Sequence, residues 1–268
     1  MKHFALAHGR RLAFRESGSG MPLVLLHGWS LSSAVFSEVI PELKARFRVL
    51  APDLPGHGFS DPPAGEFRFG GIAADLAEWL NDLGIEGGAL LGWSMGGQVA
   101  LELCRLESLR IEKLILVATT PRFVRDGEWS AGLPSGQVRA LGRNLGRNLR
   151  ETLEQFFNLQ FEGESLPPNR LEQLARLAAA NRLDADPGSL RDALTALEKE
   201  DQRPLLEKTT MPSLVVHGEL DRIVPPTVGS CLAARLACSR LEILQGVGHA
   251  PFLSRPQETI ALWQDFLS

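Results

Sequence analysis

Apolar positions along this chain fall into two patterns. Short runs bounded by turn formers, at 22–28, 47–52, 89–91, 114–118, 213–218 and 240–244, read as strands. The run at 22–28 is apolar on both faces, as a buried parallel strand must be. Between these runs lie helical stripes, clearest over 72–83, where Ile72, Leu76, Trp79, Leu80 and Leu83 share a face. Further helices are expected over 35–46, after Ser94, and near 227–236 and 257–267, and a short antiparallel hairpin at 4–8 and 11–15 across Gly9. Alternating strands and helices imply an α/β fold, a doubly wound, mostly parallel sheet with helices on both faces.

After the sixth strand the rhythm changes. From about 122 to 203 no strand-like run occurs, and helix-period sequence is broken near Pro134, Pro167-Pro168 and Pro187-Gly188. Leu141, Leu145, Leu149, Leu153 and Phe156 are expected on one helical face, and Leu171, Leu174, Ala175 and Ala178 on another. The expected organisation is a core formed by residues 1–120 and 205–268, with a helical cap inserted at 121–204.

Composition narrows the class. At 268 residues, 44% hydrophobic and 22% charged, the chain can bury a sizeable core and is neither disordered nor fibrous. A net charge of −4 gives no reason to expect nucleic acid or an anionic membrane as partner. No apolar run is long enough to cross a bilayer and the start lacks a signal-like core, so a cytoplasmic protein is expected. Cys104, Cys231 and Cys238, widely spaced in apolar helical patterns, read as buried thiols.

Candidate chemistry centres on Gly92-Trp-Ser-Met-Gly96, a G-x-S-x-G between a strand and a helix. Such a turn leaves no room for a Cβ at its two glycines, and it exposes the hydroxyl of Ser94 at a helix N-terminus that favours negative charge. A nucleophilic serine needs a base and an orienting acid, in the chain order Ser, acid, His on this architecture. His249, in Gly246-Val-Gly-His-Ala-Pro-Phe252, and Asp221, in Gly218-Glu-Leu-Asp-Arg-Ile-Val-Pro225, each follow a strand; Glu219 is the rival acid. The N–H groups of Met95 and Trp29 are the expected oxyanion donors, with the Trp29 indole and the Met95 thioether beside the acyl group. His27 is expected to brace the oxyanion loop, and His57 and His217 read as structural. No phosphate loop, metal-spaced cluster or dinucleotide fingerprint occurs, so no cofactor and no metal are expected.

The triad order and the insertion resemble the α/β-hydrolase family with a helical cap, over essentially the whole chain. Several stretches look like one branch of it, the carboxylesterases of biotin synthesis that cleave pimeloyl-acyl-carrier-protein methyl ester. These are Leu25-Leu-His-Gly-Trp29, Leu91-Gly-Trp-Ser-Met-Gly-Gly97, Val117-Ala-Thr-Thr-Pro121, Glu128-Trp129, Glu154-Gln-Phe-Phe-Asn-Leu-Gln160 and Gly248-His-Ala-Pro-Phe-Leu-Ser254. The resemblance implies an acyl chain held between cap and core by Phe156, Phe157, Asn158, Leu159 and Gln160, together with Trp29, Ser94, Met95 and His249. It implies an acyl carrier protein as partner, outside the tunnel.

A carrier is acidic, and Arg139, Arg143, Arg147 and Arg150 recur at intervals of four, four and three, spaced for one helical face. That face reads equally as a docking surface or as an ordinary solvated one. The branch places basic side chains just before the cap phenylalanine, where this chain has Gln155 and, a turn earlier, Glu151. The expected activity is that of a monomeric serine carboxylesterase on this methyl ester, which also accepts small esters. The alternatives are a broad short-chain esterase, a lactonase, a carbon–carbon bond hydrolase, or a receptor with little turnover.

Overall fold

β1 (Lys2–Ala5) and β2 (Arg11–Ser17) form the antiparallel hairpin expected across Gly9, but the first strand lies earlier than 4–8 because Ala7–Gly9 form a 3₁₀ turn. The computed structural model describes residues 1–106, 108–182 and 186–268. β3 (Met21–Leu26) and β4 (Phe47–Pro52) pair in parallel, joined through a 3₁₀ turn at Ser33–Phe36 and the one-turn α1 (Ile40–Leu43). The single helix expected over 35–46 is therefore split in two. Ser32 caps the first piece, and Pro41, which has no N–H to give, starts the second.

Next come α2 (Phe69–Asp82), β5 (Gly87–Trp93), α3 (Met95–Cys104) and β6 (Arg110–Val117). The chain then turns helical: α4 (Ser135–Arg147), α5 (Leu149–Leu159), α6 (Arg170–Arg182), α7 (Pro187–Lys199) and the short α8 (Arg203–Leu206). The sheet resumes with β7 (Ser213–Gly218), α9 (Pro226–Arg235) and β8 (Ser239–Leu244), and α10 (Pro251–Ser254) and α11 (Pro256–Leu267) follow.

Among the described residues eight strands make one sheet in the order β1-β2-β4-β3-β5-β6-β7-β8. The β1–β2 and β2–β4 pairs are antiparallel and the remaining pairs parallel. Successive side chains of a strand point to opposite faces, so each central strand feeds two cores. Val24, Leu26, Leu90, Leu114, Leu116 and Val215 pack on one face with Trp79 of α2. Leu23, Leu25, Leu91, Ile115, Val117, Leu214 and Val216 pack on the other with Trp263 of α11.

The helical segment leaves and rejoins the sheet at one place. The Gln202 N–H donates to the Pro121 carbonyl at 2.7 Å, and Arg122 and Arg203 both pair with Asp126 and Asp201.

Within the segment two sequence expectations need correction. The stripe from Leu141 to Phe156 is broken at Asn148, which has φ −148° and ψ 86° and separates α4 from α5. Its side chain accepts the Glu151 N–H at 3.3 Å and its Nδ2 donates to Glu151 Oε2 at 2.7 Å, a reciprocal cap that starts a new helix. On α6, Leu174 is buried but Leu171 is exposed, and the side chain at 178 lies outside the described ones. The thiols differ too. Cys238 is exposed, whereas Cys104 is mostly buried, which pushes its thiol up to about 12. Among the described residues, no helix is long and apolar enough to cross a membrane.

Candidate active site

β5, β6, β7 and β8 are successive parallel strands, so the loops leaving the carboxyl ends of β5, β7 and β8 gather at one edge of the sheet. Ser94 follows β5, Asp221 follows β7 and His249 follows β8.

Ser94 sits at φ 54°, ψ −120°, a conformation that costs a non-glycine residue on the order of 1–3 kcal/mol and persists only where its surroundings enforce it. Here the Ser94 N–H donates to the Val117 carbonyl at 2.9 Å, and the Thr119 hydroxyl to the Ser94 carbonyl at 2.6 Å. A Cβ on Gly92 would lie 2.5 Å from the Gly96 carbonyl oxygen, and one on Gly96 would run into the Leu26 carbonyl. The two glycines therefore let α3 start directly over the strand. Its N-terminus lies beneath the serine and favours negative charge there.

His249 is buried, its ring held between Ser94 and Asp221. Nε2 lies 2.9 Å from Ser94 Oγ and Nδ1 lies 2.7 Å from Asp221 Oδ2. A carboxylate only accepts, so Nδ1 carries the proton and Nε2 is free to take one from the serine. The Trp93 indole N–H donates to the His249 carbonyl at 2.9 Å and holds the loop from beneath.

Asp221 Oδ1 accepts from the Ile223 and Val224 N–H groups at 2.8 and 2.9 Å. Burial alone would raise its carboxyl, but the facing His249 and His217 outweigh that and hold it well below the usual carboxylate range. The rival acid is turned elsewhere: Glu219 accepts the Gly246 N–H at 2.9 Å. His217, read from the sequence as structural, also meets the orienting acid. Its Nε2 faces the Val224 carbonyl at 2.8 Å, and must therefore donate, and it also lies 3.2 Å from Asp221 Oδ2.

The Trp29 and Met95 N–H groups make no hydrogen bond with a described residue, as oxyanion donors require before substrate arrives. His27 braces the loop carrying Trp29. Its Nδ1–H donates to the Gly28 carbonyl at 2.8 Å while Nε2 accepts the Leu54 N–H at 2.9 Å. Burial lowers His27 to about 4, so the ring is neutral at pH 7.

Beside this cluster a cavity of about 410 Å³ opens among the helices. Phe123, Val138, Leu141, Phe156, Leu159 and Ile223 give it an apolar wall, with Gln155 and Arg222 among its polar members. Phe156 meets the Trp29 ring edge-on at 4.9 Å, and the Trp29 Nε1–H donates to the Leu190 carbonyl of α7 at 2.9 Å.

The expected lining set is only partly brought together. Phe156 and Leu159 line the cavity; Trp29, Ser94, Met95 and His249 are not part of its wall. Phe157 points the other way, into the opposite core beside Phe161 and against Leu31, Val35 and Leu253, because adjacent helical positions diverge by about 100°. Asn158 is exposed, and Gln160 is buried with its carbonyl on the His249 N–H at 2.8 Å.

The four arginines do not share one face. Arg139, Arg143 and Arg147 ride α4, while Arg150 lies beyond the Asn148 break and pairs with Glu154 at 3.0 Å. Arg139 and Arg143 line a groove with Arg191 of α7, and Glu198 lies 3.8 Å from Arg139.

Comparison with known proteins bears on the same residues. The family described as alpha/beta hydrolase fold matches residues 21–256, which span all three loops. The chain belongs to the α/β-hydrolase family. It is 34% identical to the pimeloyl-[acyl-carrier protein] methyl ester esterase of Nitrosospira multiformis, over 91% of this chain and 93% of that protein. The protein of that name from Aeromonas hydrophila is 36% identical, over 93% of this chain and 96% of its own length. Among solved structures, an esterase from Exiguobacterium antarcticum superposes with a TM-score of 0.91 at 27% identity, covering 99% of this chain and 98% of that one. The α/β-hydrolase chain thus has relatives named as esterases in both comparisons.

Proposed function

We propose that this α/β hydrolase is a serine carboxylesterase that cleaves the methyl ester of pimeloyl-[acyl-carrier protein] in biotin synthesis. The observation that carries the catalytic part is the chain of contacts from Ser94 Oγ through His249 to Asp221, at 2.9 and 2.7 Å. His249 Nε2 takes the serine proton as Oγ attacks the ester carbonyl, while Asp221 holds the imidazole tautomer and faces the imidazolium that forms. The Trp29 and Met95 N–H groups stabilise the tetrahedral oxyanion. His249 returns the proton to the methoxide as it leaves, giving methanol and an acyl-Ser94 ester. Water, deprotonated by the same histidine, then attacks the acyl carbonyl. Collapse frees the carboxylic acid and restores Ser94.

The substrate rests on two supports: the relatives that carry this name and the apolar cavity beside Phe156, which suits a polymethylene chain. In this reading residues 121–204 act as a cap over a core of 1–120 and 205–268, and the acidic carrier docks outside on the arginines of α4. The free thiols Cys104, Cys231 and Cys238 suit the reducing cytoplasm where such a carrier works.

The test compares methyl-pimeloyl carrier protein with p-nitrophenyl esters. The carrier-linked ester should show the higher kcat/KM, and turnover confined to small esters would remove the carrier from the reading. Ser94→Ala should lose roughly four to six orders of magnitude of kcat on either substrate with the fold intact. Retention of a tenth of the wild-type rate would exclude Ser94 as nucleophile.

A further inference from the structure

Two consecutive N–H groups of the loop that carries His249 are held from outside the sheet. The His249 N–H donates to the Gln160 carbonyl at 2.8 Å, and the Gly248 N–H to Glu164 Oε1 at 2.8 Å. Both acceptors belong to the turn that ends α5, where the Gln160 N–H bonds the Phe157 carbonyl at 3.2 Å and the Glu164 N–H the Phe161 carbonyl at 3.1 Å. On α5 itself, Phe156 meets Trp29 at 4.9 Å. One helix and its terminal turn thus touch the loop of the oxyanion donor, the cavity wall and the loop of the base.

The fit is close. A Cβ on Gly248 would stand 2.9 Å from Glu164 Oε1 and would run into the Gln160 carbonyl. Glu164 is only partly exposed, and burial raises its carboxyl above the usual range, a penalty that the Gly248 N–H opposes. A glutamate held inside at such a cost, and aimed at the residue beside His249, has a more specific use than covering surface.

We infer that Glu164 is a positioning residue for the reaction: with the Gln160 carbonyl it fixes the loop that aims His249 Nε2 at Ser94 Oγ. The role rests on the reading of Ser94, His249 and Asp221 as the reacting groups. It requires an acceptor at the reach of Oε1, not a charge.

Three variants separate these requirements: Glu164→Ala has no acceptor, Glu164→Asp is a methylene too short, and Glu164→Gln keeps an oxygen in place. Each is measured for kcat and KM on p-nitrophenyl butyrate, for the rate of Ser94 phosphonylation by a fluorophosphonate, and for Tm. A base loop displaced by a fraction of an ångström should slow both reactions on the order of tenfold in the Ala and Asp variants, with KM nearly unchanged. The Gln variant should stay near the wild-type rate. Wild-type rates in the Ala and Asp variants, a Gln variant as slow as they are, or a loss confined to KM would each overturn the role. If Glu164→Ala does not fold, the Asp and Gln pair decides alone. A wild-type protein inert to the fluorophosphonate would instead overturn the reading of Ser94 as nucleophile.

Discussion

At the scale of single residues, the site is held by constraints that differ in how visible they are along the chain. Gly92 and Gly96 announce the turn around Ser94, because a Cβ at either would collide with the backbone. His249 is marked by glycines on a loop after a strand. The orienting acid is not marked, since Glu219 and Asp221 lie in the same loop, two residues apart. Only the folded loop puts Asp221 on the imidazole at 2.7 Å and Glu219 on the Gly246 N–H at 2.9 Å. Asp221→Asn should therefore lower kcat on a small ester by about 10⁴, because the histidine loses the partner that fixes its tautomer. Glu219→Gln should do far less, and a reversed order of the two in steady-state kinetics would hand the orienting role to Glu219. His217 was legible as a structural group, but its contact with Asp221 was not. Nothing in a strand that ends in histidine tells which carboxylate its ring will face.

At the scale of elements, periodicity located the helices but misjudged continuity. Leucines recur across 141–153 as if α4 and α5 were one rod, yet Asn148 caps a new helix with Glu151 three residues on. That Asn-x-x-Glu spacing was the readable signal, a cap of the kind that overrides an apolar stripe. The break moves Arg150 away from Arg139, Arg143 and Arg147, so α4 alone presents a basic face. If an acidic carrier docks there, the double variant Arg143→Glu, Arg147→Glu should raise KM for the carrier-linked ester and leave kcat on a small ester unchanged. Exposed pairs contribute about 1 kcal/mol or less each, so the double variant is the fair test. The wild-type carrier reaction should also weaken with salt, since screening acts over about 10 Å at 0.1 M. Equal losses on both substrates would show damage to α4 itself. No loss on either would place the carrier elsewhere.

At the scale of the whole molecule, two buried imidazoles tie stability to pH. Burial lowers His27 to about 4 and His57, which also faces His27, to about 3. Between those values and 6.5 the unfolded chain binds protons that the folded one does not, so stability rises with pH across that window and is lost as pH falls. The loss from His27 alone should reach on the order of 3 kcal/mol by pH 4. Urea unfolding at pH 7, 5.5 and 4.5 checks this, and a flat series would mean that both rings are open to protons in the fold. The alternating strands and stripes, the serine turn and the helical rhythm after the sixth strand were all set by local rules of period, turn sterics and motif spacing. Those rules act within about a dozen residues, and a sequence displays them directly. What joins distant segments was decided by tertiary structure: Asp221 over Glu219, His217 on that same carboxylate, Phe156 into the cavity with Phe157 behind it, and Glu164 on Gly248 across 84 residues. Each depends on where a side chain points after two elements have packed, and that direction is set by the partner surface, which local pattern does not encode.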